Sequence, residues 1–295
     1  MRKMFITSFK HIHFGLVNRK MLIIKKKIIK YSSIFIAGFL LMLSISFYMD
    51  WRFEEDILDS LALRVKSASI KNDPEFLIIS AMNIATYIEE RKTEVFGNTQ
   101  FNSLKVKLMS TSFSPFNYGG GACGGYTLFL ARLLKKIGFK EKIVQLKVNE
   151  KWGGHITLAV ENGNKLLLID PLYNYAFKDS LGHFSDIHDV ANNWYAYYSK
   201  QLPLKYDKTY DYQSGWRFTN WDKFGFLSRS IYHAGIFIYG KEKMDNFSFR
   251  YWILDFSKYY SILSFFGFLL FSSIIIVPVF KKKPIFFQKN LNFFE

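Results

Sequence analysis

Cysteine is almost missing from this chain. Cys123 is alone among 295 residues, so no internal disulfide can form. A single thiol placed outside a reducing compartment, if partly exposed, calls for a chemical explanation rather than a structural one. Acidic residues are absent from residues 1–30, which hold nine Lys/Arg, and residues 281–295 hold four Lys against one Glu. Charge of either sign is missing from two long runs, "YSSIFIAGFLLMLSISFYM" (31–49) and "YYSILSFFGFLLFSSIIIVPVF" (259–280). No internal repeat and no Pro/Gly-rich linker divides residues 50–258, so that stretch reads as one unit. The formal charge of +16 would suggest nucleic acid, but residues 50–258 hold 27 basic and 23 acidic residues. Most of the excess therefore sits in the two tails, which orientation and anionic lipid explain, and no nucleic-acid partner is expected. Hydrophobic residues make up 49% of the chain, which excludes global disorder.

The uncharged runs set the organisation. A helix needs about 20 apolar residues to cross a bilayer, and both runs meet that requirement. Tyr31, Tyr48, Trp51, Tyr259 and Tyr260 stand at their edges, where aromatic rings favour the membrane interface. Basic clusters mark the cytoplasmic side; "NRKMLIIKKKIIK" precedes the first run and "KKKP" follows the second. The expected plan is a basic cytoplasmic tail (1–30), a transmembrane helix (31–49), an extracytoplasmic domain (50–258), a second transmembrane helix (259–280) and a cytoplasmic tail (281–295). The first span has a long basic leader and no small-x-small cleavage site after it, which reads as an uncleaved anchor. The plan and the Lys-, Ile-, Phe- and Asn-rich usage fit a two-pass protein of a bacterial cell membrane.

Within the domain, apolar spacing predicts helices over 53–67, 75–92 and 101–109. A further helix runs from Cys123 to about Ile137, with Tyr126, Leu130, Leu133, Leu134 and Ile137 on one face and Gly138 as its stop. Residues 142–149 read as a strand. "HITLAVE" and "KLLLID" follow as two more, joined by "NG", a strong hairpin signal. Residues 185–200 read as helical, with Ser185 as N-cap. Helices first and a hairpin-built sheet afterwards indicate an α+β fold.

The hairpin carries the chemistry. With Asn162 and Gly163 as a two-residue turn, Glu161 pairs with Asn164, and His155 falls opposite Asp170. Directly opposed Cβ atoms lie about 4.5–5.5 Å apart, close enough for a carboxylate to accept a bond from an imidazole N–H. Cys123 opens a helix behind glycines that permit unusual backbone angles. The helix dipole and its free N–H groups favour a thiolate there and suit an oxyanion. A nucleophile, a base and a group that orients the base make up a triad.

"GACGGY", "GGH" and "LLIDP" together resemble the three motifs of the transglutaminase-like superfamily: a cysteine opening a helix with an aromatic three residues on, a Gly-His starting a strand, and an Asp-Pro ending the next. The resemblance covers residues 117–173, about one fifth of the chain. It implies a papain-like α+β core over about 101–200, in which the helix bearing the nucleophile packs on an antiparallel sheet. Cys123 would be the nucleophile, His155 the base and Asp170 its orienter, with acyl transfer or hydrolysis of peptide or amide bonds through a thioester and no cofactor or metal. The chain departs from the family in places. "KLLLID" lacks the Trp that members often carry, Lys142 stands where many have Arg, and "HITLAV" offers Thr157 where an aromatic often follows the histidine. These departures bear on specificity and leave the triad intact. Papain-like enzymes take a second oxyanion donor from upstream of the cysteine, and Asn117 and Tyr118 are the candidates here.

Other groupings carry less. His183 and His188 flank Asp186 in "GHFSDIHD", but no second cluster completes a metal site. His11 and His13 belong to the basic tail, and His233 reads as packing or interface. The aromatics of 194–221 suit a substrate cleft, core packing or the membrane surface. The expected partners are the lipid bilayer and a peptide or protein substrate. The competing reading is a non-catalytic binding or assembly module of a membrane complex on the same fold.

Overall fold

The computed structural model describes residues 2–69, 73–96, 123–222, 225–249 and 256–280. Asn117, Tyr118 and the helix expected over 101–109 lie outside them. The chain divides into two compact units, Met1–Asp50 with Ser257–Glu295, and Trp51–Phe256.

In the first unit two apolar helices pack together. Helix α1 (Arg2–Ala68) contributes its N-terminal part and α7 (Phe256–Phe280) the other partner. Both are long and apolar enough to cross a membrane. Ser44 Oγ donates to the Ser261 carbonyl at 2.9 Å, and Ser261 Oγ donates to the Ser44 carbonyl at 2.9 Å. Reciprocal serine bonds suit helices that meet where hydrophobic attraction is weak. Gly267 allows the same close approach, because a Cβ there would stand 3.0 Å from Leu40. The expected helix over 53–67 has no start of its own; the apolar run and the amphipathic stretch form one continuous helix, α1.

The second unit is α+β. Helix α2 (Pro74–Phe96) and helix α3 (Cys123–Ile137) precede strands β1 (Glu141–Val148), β2 (Lys151–Asn162), β3 (Lys165–Asp170) and β4 (Tyr175–Ala176). Helix α4 (Ile187–Asn192), strand β5 (Trp216–Arg217), helix α5 (Phe226–Tyr239) and helix α6 (Lys241–Asp245) follow. The sheet is antiparallel throughout, in the order β4-β3-β2-β1-β5. Both its faces are covered. Ile156, Leu158 and Val160 of β2 point with Ile143, Leu167 and Ile169 into a core shared with Leu58 and Val65 of α1, Ile78 and Met82 of α2, and Phe129, Leu130, Leu133 and Leu134 of α3. The alternate residues Ala159, Val144, Leu146 and Leu168 face an aromatic layer of Phe177, Trp194, Tyr198, Tyr206, Tyr212 and Phe218. Burial on two sides explains why these strands read as near-continuous apolar runs.

The hairpin register differs from the expected one. Asn162 pairs with Lys165 and Leu158 with Ile169, so the turn is Gly163–Asn164 and His155 is not directly opposite Asp170. Gly163 has φ +60° while Asn164 is not among the positive-φ residues. Left-handed backbone at the first central position alone is the type II′ pattern, which takes glycine there. The glycine thus enters the turn one place earlier than a type I′ Asn-Gly turn would have it. The pairing moves by two residues, and a shift of two keeps every side chain on its face. The expected helix over 185–200 is also shorter: α4 ends at Asn192, and a single 3₁₀ turn follows at Tyr198–Lys200. Its N-cap is Asp186, not Ser185. The Asp186 carboxylate accepts from the His188 N–H at 2.8 Å, whereas Ser185 Oγ is a partner of the Tyr198 hydroxyl at 2.8 Å.

Candidate active site

Cys123 is the first residue of α3. The helix is seated on β2 by Thr127, whose buried hydroxyl donates to the Ile156 carbonyl at 3.1 Å. That bond sets the helix N-terminus beside the residue that follows His155. Gly119 to Gly121 lie outside the described residues. Gly124 gives the helix start slack rather than shape, because a Cβ there would only touch Ile156 Cδ1 at 3.7 Å.

His155 is set by a break in the β1–β2 ladder. Leu146 pairs with His155 and Lys147 with Trp152, so Gly153 and Gly154 bulge out of β2. Gly153 has φ +79°, and a Cβ on Gly154 would stand 2.6 Å from Val148 Cβ. Both glycines of "GGH" are therefore required by the backbone, and bulges re-aim the side chain that follows them. Asn149 and Glu150, both at positive φ, close the hairpin one turn earlier.

Asp170 ends β3. The turn behind it is pinned from α2, where Thr86 Oγ1 donates to the Pro171 carbonyl at 3.2 Å and Asn83 accepts from Asn174 Nδ2 at 2.9 Å. His155 Nε2 and Asp170 Oδ2 lie 2.7 Å apart, and both side chains are fully buried. The two-residue shift in register leaves the pair diagonal on one face of the hairpin, still within reach. Asp170 is further held by the Tyr206 hydroxyl at 2.7 Å and the Leu172 N–H at 3.2 Å. Tyr206 in turn lies 3.2 Å from the Tyr212 hydroxyl. Tyr210 stacks on the imidazole, with ring centroids 4.0 Å apart and planes 11° from parallel. Thr157 donates to the Ile169 carbonyl, tying β2 to β3 beside the pair.

The remaining imidazole nitrogen, Nδ1, is buried and makes no hydrogen bond of full geometry among the described residues. Cys123 is nevertheless close enough that each group alters the other's proton affinity. Burial works against the thiolate, but hydrogen bonding to His155 and to the Ile156 N–H, with the imidazolium charge, brings the Cys123 pKa below its ordinary value. Burial likewise works against a charged His155; the hydrogen bonds to Asp170 and Cys123 and their charges outweigh it, and the imidazole is pushed up to about 9. Both shifts act in the direction of a thiolate–imidazolium pair. Long or misaligned nucleophile–base contacts are common in sites without substrate.

The structure thus brings together Cys123, His155 and Asp170. It also supplies groups that the sequence analysis did not single out: Tyr206, Tyr210 and Tyr212 around the Asp–His pair, and Thr86 behind it. The signal for the three tyrosines is the run "YDKTYDYQSGW", which by sequence suits cleft, core or membrane surface alike; Thr86 carries no such signal. Asp186, considered with His183 and His188, has its oxygens committed to backbone: one accepts from the His188 N–H and the other from the Leu166 N–H at 2.6 Å. His233 lines a separate cleft of about 620 Å³ with His188, Trp216, Trp221 and Arg229.

No family model, no curated protein and no solved structure matches the chain.

Proposed function

We propose that the chain is a membrane-anchored thiol enzyme of transglutaminase-like type with a papain-like core, acting on peptide or amide bonds. The observation that carries this reading is the His155–Asp170 pair at 2.7 Å, with Cys123 at a helix N-terminus near enough to the same imidazole to raise its pKa. In this scheme the Cys123 thiolate attacks the amide carbonyl carbon, and the carbonyl electron pair moves onto oxygen. The first N–H groups of α3 stabilise that oxyanion. His155 gives its Nδ1 proton to the leaving nitrogen as the C–N bond breaks, leaving a thioester and a free amine. Water then attacks the thioester with His155 as base, giving a carboxylic acid; an amine in place of water gives a new amide. Asp170 keeps the proton of Nε2 engaged and so presents Nδ1 to the thiol. In the membrane plan that the basic tails support, both termini are cytoplasmic and residues 50–258 are extracytoplasmic.

Alkylation tests the site without a known substrate. Iodoacetamide should modify Cys123 with a pH midpoint below that of an ordinary thiol, and His155→Ala should slow the reaction near pH 7 by an order of magnitude or more. Mass spectrometry of the tryptic peptide reads the rate. A thiol no more reactive than free cysteine would reject the activated nucleophile and favour the binding-module reading. Acyl-enzyme trapped on Cys123 in a His155-disabled variant would identify the substrate.

A further inference from the structure

Helix α5 has its faces reversed. A helix on a water-covered surface buries its apolar stripe and exposes its polar one. Helix α5 buries Ser228 and Gly235. Ser228 donates to the Trp221 carbonyl, and Gly235 lies against Met244 of α6. Its large apolar side chains point the other way: Phe226 is 87% exposed and Phe237 92%, and Leu227, Ile231 and Ile238 are each more than half exposed. At about 100° per residue these five fall within one arc of about 140°. Ser228 is buried and the part-buried Ser230 falls within the arc, while Arg229, Tyr232 and His233 border the 620 Å³ cleft. There Arg229 Nε donates to Asp222 at 3.2 Å and the Tyr232 hydroxyl to Asp245 at 2.6 Å. Scattered apolar side chains on a surface need no explanation, but a contiguous patch on one helix marks a surface that meets something other than water.

We propose that α5 lies in the interfacial layer of the bilayer, with the arc of Phe226, Leu227, Ile231, Phe237 and Ile238 sunk among the lipid chains. The inference rests on the membrane-anchored reading above. What selects lipid as the occupant is the covalent tether. Residues 240–255 separate α5 from α7, the helix apolar enough to cross a membrane. Fully extended, sixteen residues reach roughly 55 Å, and the helical turn of α6 shortens that. The bilayer is therefore always within reach of α5, at an effective concentration that a second protein would have to match. The composition agrees. Phenylalanine stands near both ends of the helix, Tyr239 closes it, Arg229 flanks the arc, and Lys241 and Lys243 follow with Glu242 and Asp245 among them; aromatic rings at the ends suit a helix that lies in the membrane plane.

The test uses the full chain in nanodiscs of phosphatidylethanolamine and phosphatidylglycerol, in a Cys123→Ser background. A nitroxide is placed at Leu227→Cys, Phe237→Cys, His233→Cys or Phe266→Cys, one at a time, and its collisions with oxygen and with a water-soluble nickel chelate are compared. Phe266 lies in α7 and reports whether that helix is in lipid. The labels at Leu227→Cys and Phe237→Cys should favour oxygen over nickel several-fold more than the label at His233→Cys, with Phe266→Cys also in lipid. These two arc positions sit at opposite ends of α5, so one suffices if the other variant fails to fold. Water-like collision rates on the arc with Phe266→Cys in lipid would overturn the inference and leave the anchored reading standing. Water-like rates at Phe266→Cys would overturn both. Spin–spin broadening between arc labels would replace the lipid with a second copy of the chain and overturn the inference.

Discussion

At the residue scale, the glycines around the site do different jobs, and the difference is measurable. Gly154→Ala would put a Cβ 2.6 Å from Val148 Cβ, backbone-near atoms that cannot swing aside. Overpacking of this kind costs about 1–3 kcal/mol. It would also push on the bulge that aims His155, so alkylation of Cys123 should slow along with the fall in melting temperature. Gly124→Ala, one residue from the sulfur, meets only an ordinary 3.7 Å contact and should be tolerated, or gain up to about 1 kcal/mol from helix propensity. Thermal melts and iodoacetamide rates on the two variants check the contrast; equal behaviour would remove the bulge from the account of the site. Cys123, His155 and Asp170 are legible in the sequence because glycine or proline marks each of them: Cys123 opens a helix, Asp170 ends a strand, and His155 follows a glycine bulge. Tyr206 and Tyr210 are not, because a loop residue carries no periodicity to say which strand it will lie against.

At the element scale, the elements from Cys123 to Asp170 read well because strong apolar patterning fixed their type. The register failed by two residues, since "ENGN" offers the same glycine to two turn types and only tertiary packing chooses between them. The length of α1 was missed because a membrane-length run and an amphipathic helix look like different elements when their compositions differ, although nothing breaks the backbone between them. The amphipathic part of α1 is held to α3 by charge as well as by apolar packing. Arg132 on α3, fully buried, pairs with Glu54 of α1 at 2.7 Å and with Glu55 at 3.2 Å, and Lys136 reaches Glu55 and Asp59 at 2.6 and 2.9 Å. Removing one partner of a buried pair typically costs about 3–5 kcal/mol, because the other charge is left in a poor medium; here Glu55 stays beside Arg132 and offsets part of that cost. Glu54→Ala should therefore lower the melting temperature of the detergent-solubilised chain far more than Asp59→Ala, whose carboxylate is largely exposed. A similar small loss for both would mean that the α1–α3 contact rests on its apolar residues.

At the scale of the whole molecule, the sheet is covered on both faces, and one acid is trapped at its rim. Glu141 opens β1 with only 3% of its surface exposed, and both its carboxyl oxygens lack a hydrogen-bond partner among the described residues. Burial pushes its pKa up to about 8, Lys135 opposing the shift and Glu161 adding to it. A folded-state value raised above the unfolded one gives stability that is complete below about 4.5 and is lost as pH rises through about 8, because the unfolded chain releases its proton first. One pKa unit corresponds to about 1.4 kcal/mol, so the loss over that window is on the order of a few kcal/mol. Glu141→Gln keeps the shape and cannot ionise. Its melting temperature should match the wild type near pH 4.5, exceed it increasingly as the pH rises, and level off in its advantage above about pH 8. His155, also raised, loses its own contribution as the pH passes about 9, but it does so in both proteins and cancels in the difference. A constant offset between the two melting curves from pH 4.5 to 8 would show that Glu141 keeps its ordinary acidity in the folded chain, and that water or a cation reaches the rim of the sheet.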